Sequence, residues 1–243
     1  MTKKKKIILG IVAVVLALAA YGYFFGVQTE CVITSRLFFN RPCLTIVPKP
    51  MAVESWSEPD ATLEAFDYSF SVPWDGFVQK MTVPGAVWWA TPNTNISILC
   101  ISPSGGLYGA LLDARQDRHN RTLVDALNKD GVSNTNYYMW SKMWNVTPQS
   151  ISLFDSRLEA KEKSGLLVLK AIVAPTNLTH VLSFDTGNVK GFQKGVPSAD
   201  SDVLLTLFDR FDREIKIAIS RKASFPITQA DINTIITTFS SKP

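Results

Sequence analysis

The chain has 243 residues, of which 46% are hydrophobic and 19% charged, which is enough for one domain with a substantial core. It contains 25 Lys and Arg against 21 Asp and Glu, and without the four lysines at 3–6 the two counts are equal, at 21. Because binding to a phosphate backbone requires a clustered excess of cations, this balance excludes nucleic acid as an expected partner.

The N-terminus has the pattern of a membrane anchor. The four lysines precede residues 7–25, which carry no charge and form about 28 Å of helix at about 1.5 Å per residue. The basic flank is expected to stay in the cytoplasm, so the rest of the chain is expected to be periplasmic or extracellular. A signal peptide cleaved after Ala17 or Ala19 is the alternative. The length of the apolar run and its aromatic end favour an uncleaved anchor in contact with membrane lipid.

This pattern predicts four parts. They are a cytoplasmic basic tail at 1–6, a transmembrane signal anchor at 7–25, a juxtamembrane segment and linker at 26–65, and an exported domain at 66–243. The linker assignment depends on residues 47–65, which contain three prolines and four acids and have no sustained periodicity.

The cysteines suit an oxidising compartment. Cys31 and Cys43 flank a short segment just beyond the anchor and are expected to form a disulfide, with two free thiols as the alternative. Cys100 lies in the apolar run ISILCIS and is expected to be a buried small hydrophobe.

Alternating apolar residues predict a sheet-dominated domain. The expected strands are residues 66–72, 77–83, 86–91, 96–102, 107–112, 166–173, 180–184, 188–193, 203–208 and 215–220.

Helices are expected between the two blocks of strands and at the C-terminus. The predicted segments are 121–130, 135–145, 148–163 with Thr147 as its N-cap, and the C-terminal helix after Thr228. In the last helix Asp231 completes a capping box, and Ile232, Ile235, Ile236 and Phe239 form one apolar stripe. The predicted fold class is α+β, with one transmembrane helix followed by a mainly antiparallel sheet and flanking helices.

Two segments carry a resemblance to a known family. The strand FDYSFSVPW at 66–74 and the closing segment FPITQADINTIITTF at 225–239 resemble the two ends of PsbP-like domains. The resemblance implies an α/β/α sandwich and a non-catalytic accessory or assembly role in an exported space. It transfers no individual functional residue.

Catalytic and metal-binding signatures are weak. The two histidines, His119 and His180, lie in no metal-spaced motif, and the sequence has no nucleophile elbow. No cofactor and no metal site are therefore expected. Asp200 and Asp202 form a lone DxD, which is more typical of a loop than of a calcium site.

Two groups of residues are candidates for ligand binding. Arg115, Arg118, His119 and Arg121 precede a predicted helix and could bind a carboxylate or phosphate, or form a solvated loop. Trp88 and Trp89 are neighbours in a predicted strand, so one of them must face away from the core. Tyr137, Trp140 and Trp144 have helical spacing that favours core packing.

Two functions remain open from the sequence. The first is a membrane-anchored accessory or assembly protein of the envelope that binds a protein partner without catalysis. The second is a glycan-binding protein or hydrolase of the envelope that uses the tryptophan pair or the arginine cluster.

Overall fold

Helices and strands alternate in blocks along the chain. The computed structural model describes residues 3–102, 136–197 and 202–242, with side chains from residue 14 onward apart from 23 and 24. The helices in these ranges are α1 Lys3–Phe38, α2 Pro42–Thr45, α3 Asn136–Asn145, α4 Arg157–Val173 and α5 Gln229–Thr238, with a 3₁₀ turn at Pro148–Ser150. The strands are β1 Lys49–Pro50, β2 Ala61–Ala65, β3 Tyr68–Val72, β4 Val78–Val83, β5 Ala86–Ala90, β6 Ile96–Ile101, β7 Val181–Asp185, β8 Lys190–Lys194, β9 Asp202–Phe208, β10 Glu214–Arg221 and β11 Ser240–Ser241.

The strands of the described residues form two sheets. The larger has eight strands in the order β1-β7-β8-β9-β10-β6-β5-β4, and the smaller has the order β11-β3-β2. All pairings are antiparallel except the short β1–β7 pair. The predicted α+β class with a mainly antiparallel sheet and flanking helices is therefore confirmed.

The larger sheet has an inner face and an outer face, and each takes part in its own hydrophobic cluster. The inner face packs on α5 and the smaller sheet, with Trp89, Ile98 and Ile217 among its buried residues. The outer face packs on α2, α3 and α4 through residues that include Phe192 and Phe208. Alternate residues of a strand point to opposite faces, so the period-two pattern of the sequence supplies both clusters.

Helix α5 forms as its sequence predicts. The Thr228 side chain accepts from the backbone N–H of Asp231, and the Asp231 side chain accepts from the backbone N–H of Thr228. The apolar stripe at Ile232, Ile235, Ile236 and Phe239 is buried in the inner cluster. The C-terminal helix and its capping box are confirmed.

The acidic, proline-rich segment 47–65 is fastened to α5. Asn233 Nδ2 donates to the Ser55 carbonyl at 2.7 Å, and Thr234 Oγ1 donates to the Ser57 carbonyl at 2.8 Å. The segment ends in β2, which pairs with β3, so ordered structure begins before residue 66. The strand alternates apolar and polar residues, but it escaped prediction because it is only five residues long and follows a proline-rich stretch without periodicity.

The second part of α1 packs against the domain. Gln28 Nε2 donates to the Asp155 carbonyl at 3.2 Å, and Ser35 Oγ lies 3.3 Å from the Pro148 carbonyl that accepts from it. Where side chains are described, no single helix is both long and apolar enough to cross a membrane. The pair Val14–Gly22 and Phe25–Phe38, bent by 68°, meets the length and composition together.

Two secondary-structure predictions are wrong. Residues 166–173, expected to be a strand, form the C-terminal half of α4, in which Leu166, Leu167 and Lys170 are buried at helical spacing. The run LLVLKAIV is nearly all apolar, and such a run does not distinguish a strand from a buried helix. The helix expected at 148–163 instead begins at Arg157 with Ser156 as its N-cap, and Thr147 caps only the 3₁₀ turn. The predictions at 107–112 and 121–130 lie outside the described residues.

The predicted disulfide is also wrong, because Cys31, Cys43 and Cys100 are all free thiols. The Cys31 thiol makes a hydrogen bond to Ser164, whereas Cys43 lies within electrostatic range of Lys170. Six residues separate these two contacts on α4, which corresponds to about 9 Å of helix. The two cysteines thus lie near different turns of α4, and no bond joins their sulfurs. Cys100 is fully buried, as predicted, and burial raises the pKa of its thiol.

Candidate functional site

The helices of the described residues cover only part of the outer face of the larger sheet. The remaining part, over β4, β5 and β6, carries a group of apolar side chains that we call the Trp88 patch. Its members are Met81, Val83, Trp88, Leu99 and Ile101. All are exposed except Leu99, which is partly buried. Exposed apolar side chains that lie together on one surface are typical of an interaction site.

Strand register aligns these residues. Trp88 lies opposite Met81 on one side and Leu99 on the other, and Leu99 lies opposite Ala218 of β10. Opposite residues in adjacent antiparallel strands point to the same face of the sheet. The result is a flat apolar row across four strands, with Trp88 near its centre.

The two neighbouring tryptophans have different environments. Trp88 is 36% exposed on the outer face, and Trp89 is 5% exposed within the inner cluster. The prediction that one of them faces away from the core is confirmed, and the register identifies it as Trp88. Trp89 is therefore a core residue rather than a ligand-binding one.

The outer strand of the patch, β4, is at one end of the larger sheet as described. All six of its residues are exposed, and its pairing with β5 shifts register between Gln79 and Met81. The residue at this irregularity is Lys80. Bulges and lysines at sheet edges limit uncontrolled pairing with other chains, so this edge favours a specific contact over general aggregation.

A charged cluster borders the patch where the helix layer begins. The buried Glu214 carboxylate accepts from Trp140 Nε1 at 2.9 Å and lies 3.3 Å from Lys216 Nζ. Lys216 lies opposite Ile101 of the patch. Burial, and then the charge of Lys216, lowers the pKa of Lys194 to about 8. These groups give the apolar surface a charged rim on one side, an arrangement common at protein interfaces.

Lys170 is the most deeply buried cation among the described residues. Its ammonium donates to the carbonyls of Ile46, Trp144 and Val146 at 2.7, 2.8 and 2.7 Å. Burial lowers its pKa to about 8. Because its three donors are used on backbone oxygens at the ends of α2 and α3, Lys170 ties both helices to α4 and has no free position for a ligand.

A groove of about 440 Å³ lies between α3 and α4. Its charged side chains pair with each other, since Lys142 contacts Glu162 at 2.7 Å and Lys163 contacts Glu159 at 2.9 Å. In the part of the chain that the structure describes, three or more His, Cys, Asp or Glu side chains do not come together at a metal-binding distance. Neither feature provides a catalytic arrangement.

The other predicted site residues lie in different environments or outside the described part of the chain. Arg115, Arg118, His119 and Arg121 lie outside the described residues, so their role stays a prediction. Trp140 and Trp144 are buried in the outer cluster and Tyr137 packs against Phe192 and Phe208 of the same cluster, which confirms core packing for the helical aromatic stripe. His180 is exposed, with Nδ1 2.8 Å from Thr179 Oγ1.

Sequence reasoning missed most of the Trp88 patch. The alternation of β4 and β6 was visible, but which of their residues share a face with Trp88 depends on strand register. Comparison of the chain with protein-family models and with curated protein sequences gives no match. The site is therefore interpreted from its own geometry.

Proposed function

We propose that the chain is a membrane-anchored, non-catalytic accessory or assembly protein whose exported domain binds a protein partner on the Trp88 patch. The single observation that carries this proposal is the register that places Met81, Trp88 and Leu99 in one accessible row. Aromatic residues near the centre of an apolar patch contribute most to protein–protein affinity.

The anchor rests on the N-terminal sequence. The lysines at 3–6 and the uncharged residues 7–25 support one crossing, with the N-terminus in the cytoplasm and the domain in a periplasmic or extracellular space. Of the bent pair within α1, only Val14–Gly22 lies fully inside this apolar segment, while Phe25–Phe38 packs against the domain. Helices on both faces of the larger sheet are compatible with an α/β/α sandwich, the arrangement implied by the PsbP-like resemblance.

A protein is favoured over a glycan as the partner because of the chemistry of the patch. Sugar rings stack on aromatic side chains but also require hydrogen-bonding groups around them. The neighbours of Trp88 in its row are Met81 and Leu99, which offer apolar contact alone. The adjacent edge strand β4 also offers a backbone to which an extended segment of a partner can add.

The test compares two tryptophans that are both exposed. Trp88→Ala removes the centre of the patch, whereas Trp56→Ala removes a side chain that is 58% exposed. Trp56 lies in the segment fastened to α5, on the opposite side of the larger sheet. The tagged full-length chain is crosslinked in its native membrane, purified and analysed by mass spectrometry.

We expect one protein in near-stoichiometric amount with the native chain and with Trp56→Ala. Its recovery should fall about tenfold with Trp88→Ala, as for the loss of a typical interface hot spot. A chain that is recovered without any partner contradicts the proposal. Equal recovery with both variants would place the interface elsewhere.

A further inference from the structure

The most exposed large apolar side chain among those described is Phe154, at 96%. It lies in the turn between the 3₁₀ turn and α4, next to the exposed Leu153. Neither side chain belongs to the two hydrophobic clusters of the described residues. The position of Leu153 and Phe154 relative to α1 indicates which surface these two side chains face.

The turn holds Phe154 outward through a set of hydrogen bonds. The Asp155 carboxylate accepts from the Ser152 backbone N–H at 2.9 Å and from Lys163 Nζ at 2.9 Å. The Phe154 N–H donates to Ser152 Oγ at 3.1 Å. The phenylalanine is thus presented by a fixed turn, which reduces the entropy lost on binding.

The same turn is attached to α1 close to the end of the proposed anchor. The Asp155 carbonyl accepts from Gln28 Nε2 at 3.2 Å. Gln28 lies three residues after Phe25, the last residue of the apolar segment, which is about 4.5 Å along a helix. Phe25 stacks on Tyr21, with ring centroids 5.5 Å apart. Aromatic side chains at this level are typical of the membrane–water interface.

The bend in α1 brings the domain close to the membrane. The segments Val14–Gly22 and Phe25–Phe38 are inclined at 68° to each other. If the first crosses the bilayer near its normal, the second runs closer to the membrane plane than to the normal.

Basic side chains accompany the apolar ones at this end. Arg157 and Lys161 are exposed one turn apart at the start of α4, directly after the Phe154 turn, and the exposed Glu159 between them pairs with Lys163. Cations beside an apolar tip attract the phosphate groups of anionic lipids. A surface of this kind suits the boundary between headgroups and acyl chains.

From these contacts we infer that the turn at residues 152–156 is a second membrane contact, with Phe154 inserted into the lipid interface beside the anchor. This inference rests on the proposed membrane anchoring through residues 7–25. The contact fixes the tilt of the domain and holds the Trp88 patch in a constant orientation relative to the bilayer.

The test uses photocrosslinking from three positions of the full-length chain. The photoreactive residue p-benzoylphenylalanine replaces Phe154, Tyr21 or Trp56, one at a time. Tyr21 reports on the anchor, and Trp56 is an exposed control on the opposite side of the larger sheet. Each variant is reconstituted in vesicles of phosphatidylethanolamine and phosphatidylglycerol that contain a lipid with an alkyne-tagged acyl chain.

We expect lipid adducts from positions 154 and 21, each at least about fivefold above position 56. Adducts from position 21 without adducts from position 154 would overturn the inference and leave the anchor intact. Adducts from position 154 to protein alone would overturn it in favour of a protein contact. Absence of lipid adducts at position 21 would remove the anchor, and the inference with it.

Discussion

The two halves of the outer face of the larger sheet differ in how their apolar residues are used. Over β7, β8 and β9, the side chains of Phe192 and Phe208 pack beneath α3 and α4. Over β4, β5 and β6, the Trp88 patch keeps its apolar side chains accessible. Both halves belong to one hydrogen-bonded sheet, so the difference arises from the extent of the helix layer and not from the strands.

This difference indicates that the covered half stabilises the fold and that the Trp88 patch serves partner binding. Polar contacts hold the helices of the covered half in place. Lys170 of α4 donates to the carbonyl of Trp144 at the end of α3, the Asp212 carboxylate accepts from the N–H of Tyr137 at its start, and Glu214 accepts from the Trp140 side chain. The Trp88 patch has no equivalent set among the described residues. We therefore expect substitutions in the covered half to change the free energy of unfolding and those in the patch to change partner binding.

The largest expected effect on the free energy of unfolding comes from replacing one tryptophan in each half by alanine. Trp144 is completely buried in the helix layer, so Trp144→Ala should lower the free energy of unfolding by about 4 kcal/mol. Trp88→Ala should lower it by about 2 kcal/mol, because Trp88 is already 36% exposed to water. Denaturant unfolding of the full chain in detergent measures both. Equal losses would show that Trp88 is a core residue and would break the comparison.

The next effect concerns the ammonium that joins α3 to α4. Lys170→Met keeps most of the apolar stem but leaves three buried carbonyls without their donor, so we expect a loss of about 3 kcal/mol. Lys163→Met is the control, since its partially exposed ion pairs contribute at most about 1 kcal/mol. The same unfolding measurement applies. A loss for Lys170→Met no larger than the control would mean that water can replace the ammonium.

The strands were largely predictable from sequence because one buried face imposes a period of two. The edge strand β4 was also predicted, although all six of its residues are exposed and no buried face imposes its pattern. Only the second half of α4 was not predicted, since LLVLKAIV contains a lysine whose burial depends on carbonyls from Ile46, Trp144 and Val146. Contacts that distant in sequence leave no local pattern.

The site was predictable only in part, for a related reason. Alternation established that either Trp88 or Trp89 faces outward, but choosing between them required the pairing with Leu99 and Met81. Register is set by turns and by the whole sheet, so a single strand does not contain it. The aromatic stripe of α3, in contrast, was interpreted correctly because helical spacing is local.

A smaller effect tests the start of α3. The Asp212 carboxylate accepts from the backbone N–H groups of Asn136 and Tyr137, the latter at 3.0 Å, and so caps a helix from a distant turn. Asp212 has φ of 60°, a conformation that glycine adopts without strain. Asp212→Gly should therefore lower the free energy of unfolding by about 1 kcal/mol through loss of the cap alone.

Asp212→Asn is the matched control for that cap. Asparagine tolerates the same backbone conformation and keeps an acceptor for one of the two N–H groups but not for the other, so its loss should be about half that of Asp212→Gly. Thermal unfolding of the full chain, followed by tryptophan fluorescence, reports on both variants. If the two substitutions have equal effects, Asp212 does not act as a cap, and the helix layer depends on packing alone.

The smallest effect is a pH dependence at the border between the two halves. Burial and the charge of Lys216 lower the pKa of Lys194 to about 8, below the usual 10.5. Between pH 8 and 10 the unfolded chain therefore binds more protons at this residue than the folded chain, so its contribution to stability rises with pH. After discounting for solvent screening, we expect a gain of about 1 kcal/mol between pH 7.5 and 9.5. Lys194→Met should remove this gain, and unfolding curves of both chains at the two pH values measure it. An identical pH dependence in the two chains would show that Lys194 titrates as a solvated lysine and that the helix layer ends short of it.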